Sequence, residues 1–106
     1  MEYNEHLLKK NKINFTGICE TVQDIEQVVS EDGHKFYRQG FLLREISEQY
    51  QQTIFLYMYS KQYKQQIAPE IGEVVCAEIT ISAKAYKGKY FNNLKCWRFN
   101  YVKKEN

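Results

Sequence analysis

Apolar and polar positions alternate with a two-residue period through most of the chain, the signature of strands with one buried face. In INFTGICETV, Ile13 to Val22, one face carries Ile13, Phe15, Gly17 and Cys19 and the other Asn14, Thr16, Ile18 and Glu20. Gly17 in mid-strand predicts a bend or bulge. Phe36 to Ile46 reads as a second strand with Phe41 and Leu43 inward and Arg38, Leu42 and Arg44 outward. Between these two strands Gln23 to Lys35 reads as a long connection turning at Ser30-Glu31-Asp32-Gly33, with Ile25, Val28 and Val29 keeping part of it ordered. After a polar loop, Ser47 to Gln52, the third strand TIFLYMYS sets Ile54, Leu56 and Met58 against Phe55, Tyr57 and Tyr59. Both of its faces are apolar or aromatic, so the Phe55-Tyr57-Tyr59 face is expected to be covered for at least part of the time.

Lys61 to Ile67 is the one helical expectation, short and stopped by Pro69 and Gly72. A fourth strand follows from Glu73 to Ala85, with Val75, Ala77, Ile79, Ile81 and Ala83 inward, and a fifth from about Tyr90 to Val102. They join at Tyr86-Lys87-Gly88-Lys89-Tyr90, where Gly88 is expected to take the positive φ that the flanking lysines would resist. Three strands, a short helix and a hairpin make the order of an all-β, five-stranded OB-fold (Greek-key) barrel, with its helix between strands three and four; period counting alone gives a small antiparallel barrel or sheet, which other all-β folds of this size share. The expected division is a polar N-terminal arm over 1–12, the domain over 13–102 and a charged end over 103–106.

Composition narrows the function. A formal net charge of +2 permits a local nucleic-acid-binding patch without demanding one. Aromatics make up 15% of the chain and nine of them are tyrosines, residues that can be half buried and still offer a ring and a hydroxyl. Cys19, Cys76 and Cys96 lack metal-ligand spacing and fall within strands, so they read as small buried thiols in a reducing, cytoplasmic setting. No apolar run approaches the roughly 18 residues of a membrane span, and MEYNEHLLKKNK has no signal-peptide core. His6 and His34 stand away from any nucleophile or ligand partner, and no phosphate loop or nucleophile elbow occurs. The pair Asp24 and Glu26 reads as a solvated edge. These features point away from an enzyme and from any cofactor or metal.

Gly72-Glu73-Val74-Val75, Ile79 and Ile81, Tyr86 to Asn92, and Lys95-Cys96-Trp97 resemble a family of short, uncharacterised bacterial and phage proteins. Those proteins are similar to single-stranded DNA-binding proteins (SSBs) with an OB fold. The resemblance spans about Ile13 to Tyr101, is specific in the C-terminal half, and implies the fold and nucleic-acid binding. Typical bacterial SSBs end in an acidic recruiting tail, which Val102-Lys103-Lys104-Glu105-Asn106 does not match.

On an OB barrel ligands lie across strands two and three, flanked by loops including that between strands four and five. The candidate nucleic-acid-binding residues are therefore Arg38, Arg44, Phe55, Tyr57 and Tyr59 on the face and Lys84, Tyr86, Lys87, Lys89 and Tyr90 on the hairpin. Rings would stack on bases and cations would contact phosphates. Phe15, Phe36, Phe91 and Phe99 are expected to pack, and Trp97 to lie in or at the core. The expected function is non-catalytic binding of single-stranded DNA or RNA with little sequence preference. It would serve replication, recombination or mobile-element and phage DNA handling, as a homo-oligomer, dimer or tetramer. The alternative is a protein-interaction module whose aromatic strand face is an oligomer or partner interface.

Overall fold

The structure, a computed structural model, describes residues 12–47 and 49–102. The expected arm and charged end fall outside these, except for Lys12, which opens the first strand. Six strands follow in order: β1 Lys12–Val22, β2 Glu26–Val29, β3 Lys35–Glu45, β4 Thr53–Ser60, β5 Val74–Tyr86 and β6 Lys89–Tyr101. Backbone pairing runs β1–β5–β6–β4–β3 and returns from β3 to β1, with β2 added on β3. The return is antiparallel throughout except at β4–β6, which are parallel and share a single register pair, Tyr57 with Lys95.

The expected strand faces of β1, β3 and β4 are those observed. Cys19, Phe41, Leu43 and Leu56 meet Val75, Ala77, Ile79 and Cys96 in the buried centre, with Phe15, Ile54, Met58, Leu94 and Phe99 packed around them. Burying each large apolar side chain stabilises the fold by about 1.5–3 kcal/mol. β1 can serve two neighbours because Gly17 pairs with both Glu45 and Val75. A Cβ on Gly17 would lie 2.6 Å from the Arg44 carbonyl oxygen, so only glycine permits this approach. The bulge expected at Gly17 falls instead at Glu20, the extra residue between the Cys19–Leu43 and Thr21–Leu42 pairs.

Four expectations are corrected. The connection before β3 contains a strand: Val28 and Val29 pair with Phe36 and Lys35 across the expected turn, closed by Ser30 N–H to the His34 carbonyl at 2.8 Å. The sheet therefore has six strands rather than five. Lys61 to Ile67 is not a helix; among the described residues there is none. Seven residues are too few to repay helix nucleation, and the backbone N–H groups of Ile67 and Ala68 donate instead to Gln39 Oε1, both at 2.8 Å. Ile81 and Ala83 are exposed, because the outer half of the β5–β6 hairpin extends past the strands that would cover it. Finally, Lys87 itself takes a positive φ of 50°, beside Gly88 at 78°, giving a two-residue turn with both central residues left-handed.

Candidate nucleic-acid interface

Alternation along β4 lines up Phe55, Tyr57 and Tyr59 on the outer face, with ring centroids 5.1 and 6.4 Å apart. β3 runs beside them. Gly40 lies opposite Tyr57, and a Cβ there would come within 2.4 Å of the Phe55 ring, so the missing side chain makes the seat for that ring. Arg38 lies opposite Tyr59, with its guanidinium carbon 4.5 Å from the centre of the Tyr57 ring. Phe36 continues the row, 5.8 Å from Tyr59.

Beyond the Tyr57–Lys95 pair β4 and β6 part, and a groove of about 720 Å³ opens between them. Its rings are Phe36, Tyr59 and Trp97; its cations are Lys35, Lys61 and Lys95, with His34 at one side. Lys95 Nζ lies 5.0 Å from the centre of the Tyr59 ring. Trp97 is the extra residue between the Ile79–Cys96 and Glu78–Arg98 pairs, a bulge that carries its ring to the groove and restores Phe99 to the inward face. The Arg98 guanidinium lies 5.0 Å from the Trp97 ring centre. Cys96 closes the groove wall; burial pushes its thiol up to about 11, leaving it protonated and unreactive at neutral pH.

The electrostatics of the groove differ from those of the outer-face arginines. Among the described residues no carboxylate lines the groove and none of its three lysines is ion-paired. Arg38 is paired with Glu26 at 3.2 Å and Arg44 with Glu20 at 3.5 Å. Burial alone would depress the Arg38 guanidinium, but the hydrogen bond and charge of Glu26, together with Tyr57 and Tyr59, outweigh it and hold it above its ordinary value. His34 Nδ1 lies 2.7 Å from Asp32, whose carboxyl is held below its usual range by hydrogen bonds from Ser30 and His34.

The structure brings together Arg38, Phe55, Tyr57 and Tyr59. Arg44, six residues and about 20 Å along β3 from Arg38, pairs with Thr53 and so lies diagonal to Phe55, at the far end of the row from Arg38. Lys84, Tyr86, Lys87, Lys89 and Tyr90 are exposed at the hairpin end, with Lys87 Nζ 5.3 Å from the Tyr86 ring centre. Gly88 is seven strand residues beyond Lys95, roughly 23 Å, so the tip stands apart from the groove. Sequence reasoning missed Lys35, Phe36, Lys61, Lys95 and Trp97 as site residues. Phe36 is half-buried, whereas Trp97 and Phe91, both expected to pack, are 41% and 54% exposed. The inward set Leu94, Cys96, Phe99 steps by two and then three, which marks Trp97 as the bulge.

Among the described residues no cluster of three or more His, Cys, Asp or Glu is placed to hold a metal ion, and no helix is long and apolar enough to cross a membrane.

The family model for a domain of unknown function (DUF3127) matches residues 14–100. No curated protein matches the sequence. Among solved structures, the N-terminal domain of PriB from Thermoanaerobacter tencongensis, described as dimeric, is similar with a TM-score of 0.57 and 18% identity over 90% of this chain and 99% of that one. The mitochondrial single-stranded DNA-binding protein Rim1 of S. cerevisiae is similar with a TM-score of 0.53 and 12% identity over 91% of this chain and 97% of that one. At these identities the likeness is one of fold, the OB-like fold of SSB proteins that the sequence resemblance implied.

Proposed function

The chain belongs to the DUF3127 family, and from that premise we propose that it binds single-stranded nucleic acid, most simply single-stranded DNA, without catalysing a reaction and with little sequence preference. The observation that carries this reading is the groove between β4 and β6, where three lysines that are paired with no carboxylate among the described residues stand with Phe36, Tyr59 and Trp97. Rings at this spacing offer π-faces that every base can use, at about 1–3 kcal/mol per stacked base. The lysines supply the counterion-release term that dominates such binding. The row Phe55-Tyr57-Tyr59 leads out of the groove along β4, as expected where an OB barrel binds its ligand. The fold shared with Rim1, itself a single-stranded DNA-binding protein, supports the same reading.

On this reading the principal contacts are Lys35, Lys61 and Lys95 to phosphates and Tyr59, Trp97 and Phe36 to bases, with Phe55 and Tyr57 extending the stack. Arg38 and Arg44, each neutralised by a glutamate, are secondary. Lys84, Tyr86, Lys87, Lys89 and Tyr90 would be reached only by a strand running the length of the hairpin. The processes served are those that expose single strands in the cytoplasm: replication, recombination and the handling of mobile or phage DNA.

The test is fluorescence anisotropy with labelled oligo-dT, oligo-U and duplex DNA at two salt concentrations. Binding should favour single strands, weaken with salt by a log–log slope of about −0.7 per phosphate contacted, and fall in Lys35→Ala/Lys61→Ala. An affinity for single strands that is absent at low salt, or independent of salt, would overturn the proposal.

A further inference from the structure

All three arginines of the chain are paired with a glutamate, whereas among the described residues none of the groove lysines is. The partners come from neighbouring strands. Glu26 on β2 meets Arg38, Glu20 at the β1 bulge meets Arg44, and Glu78 on β5 meets Arg98. Two of these guanidiniums lie against rings of the site, Arg38 on Tyr57 and Arg98 on Trp97. Arginine is a more specific phosphate ligand than lysine, because its planar fork takes two oxygens at once. The resting protein therefore keeps its forked cations occupied by carboxylates and leaves its groove lysines open.

The Arg38 pair is the one placed to be exchanged. Glu26 lies directly opposite Arg38, and Arg38 directly opposite Tyr59, so all three side chains leave the same face of the sheet. β2 is the last strand of the sheet, bonded to β3 alone, and both members of the ion pair are partly exposed. The contact uses one nitrogen: Glu26 Oε2 lies 3.2 Å from Arg38 Nη2. Nε, the other half of the side-on fork, is buried with no hydrogen-bond partner among the described residues. The carboxylate thus satisfies half of what the fork offers. A phosphate, with two non-bridging oxygens, can engage both halves once the carboxylate withdraws. Exposed ion pairs stabilise so weakly that a polyanion can displace one.

We propose that Glu26 is an internal substitute for phosphate: it holds Arg38 in the free protein, and a single strand leaving the groove across Tyr59 and Tyr57 takes Arg38 from it. The inference rests on the nucleic-acid reading above and adds the regulation of that site. Arg38 changes its acceptor and keeps its place on Tyr57. The released Glu26 then stands beside the phosphates of the strand, so the exchange lowers affinity. Glu26 thereby limits how tightly the strand is held and keeps it releasable.

Fluorescence anisotropy of labelled oligo-dT with the full chain at low salt tests this in a cycle of four proteins: wild type, Glu26→Gln, Arg38→Met and the double variant. Methionine keeps a stem over Tyr57 and removes the unpaired Nε, so the fold tolerates it. Glu26→Gln should bind about two- to fivefold tighter, the factor that corresponds to one exposed ion pair no longer broken on binding. In the Arg38→Met background the same substitution should lose most of that gain, because Glu26 acts through Arg38. Glu70→Gln removes the same charge from the segment between β4 and β5, outside the groove and the aromatic row, and should bind as wild type does. Equal gains in the two backgrounds overturn the proposal, as does a Glu26→Gln affinity no higher than that of wild type. Either result leaves wild-type binding, and the function proposed above, standing. Oligo-dT bound by neither wild type nor any variant overturns both.

Discussion

The ammonium of Lys95 on β6 rests 5.0 Å from the centre of the Tyr59 ring on β4, bridging two strands that share only one register pair. The Phe36 ring centre lies 5.8 Å from that of Tyr59. One cation and one ring therefore line the groove together, and in the proposed complex the ammonium meets a phosphate and the ring a base. Lys95→Ala should lower affinity for oligo-dT and reduce the magnitude of the salt slope by about 0.7, the share of one phosphate contact. Tyr59→Ala should weaken binding by about 1–3 kcal/mol and leave that slope nearly unchanged. Titrations across a salt series separate the two effects, and equal slopes in wild type and Lys95→Ala would remove Lys95 from the phosphate path.

Gln39 is the one buried polar side chain among the described core residues. Its Oε1 accepts from the N–H groups of Ile67 and Ala68, and its Nε2 donates to the Gln23 carbonyl at 2.9 Å. It ties the irregular strap after β4 to β3 and so replaces the hydrogen bonds a helix would have supplied. Gln39→Leu fills the volume but orphans two buried donors at about 1–3 kcal/mol each. The expected loss is ~2–6 kcal/mol, read from urea unfolding. A midpoint unchanged from wild type would mean that the strap is held by Ile67, Ala68 and Pro69 packing alone.

The strands were legible because their alternation is strong: Phe41, Leu43, Leu56, Val75 and Ile79 were assigned inward by period alone and are buried. The helix was not legible as absent, since Lys61 to Ile67 favours helix locally and only Gln39, more than twenty residues upstream, captures its end. The site was half legible. Phe55, Tyr57 and Tyr59 followed from the two-residue period, but Lys35 and Lys61 sit where β3 begins and β4 has just ended, and converge only through the pairing of those strands. Trp97 was hidden by a bulge, which reverses inside and outside for each residue after it.

The turn of the β5–β6 hairpin offers a gain in stability. Lys87 sits at φ 50° and Gly88 at φ 78°, the pattern of a turn that prefers Asn-Gly. Lysine has no local hydrogen bond to offset the left-handed conformation, whereas asparagine tolerates it. Lys87→Asn should raise stability by about 0.4–1 kcal/mol, seen as a higher urea midpoint with an unchanged slope. A lower midpoint would show that the Lys87–Tyr86 contact outweighs the backbone preference.

Alkaline pH should loosen the fold through Cys96. The thiol is 1% exposed, and burial raises it from an ordinary 9.0 to about 11; Cys19 is raised by burial in the same direction. Below pH 9 native and unfolded chains both keep the proton, so Cys96 makes stability neither rise nor fall there. Between 9 and 11 the unfolded chain releases its proton while the native chain holds it, and each pH step favours unfolding. Across that window the loss attributable to Cys96 is on the order of 3 kcal/mol. The readout is a difference: urea-derived stability of wild type minus that of Cys96→Ala, followed from pH 7 to 11. Removing the thiol costs the variant some packing at every pH, but this gap should narrow above pH 9, as the wild type loses a term the variant lacks. Parallel profiles would mean that the core opens enough to solvate the thiolate, and with it the wall of the groove that Cys96 closes.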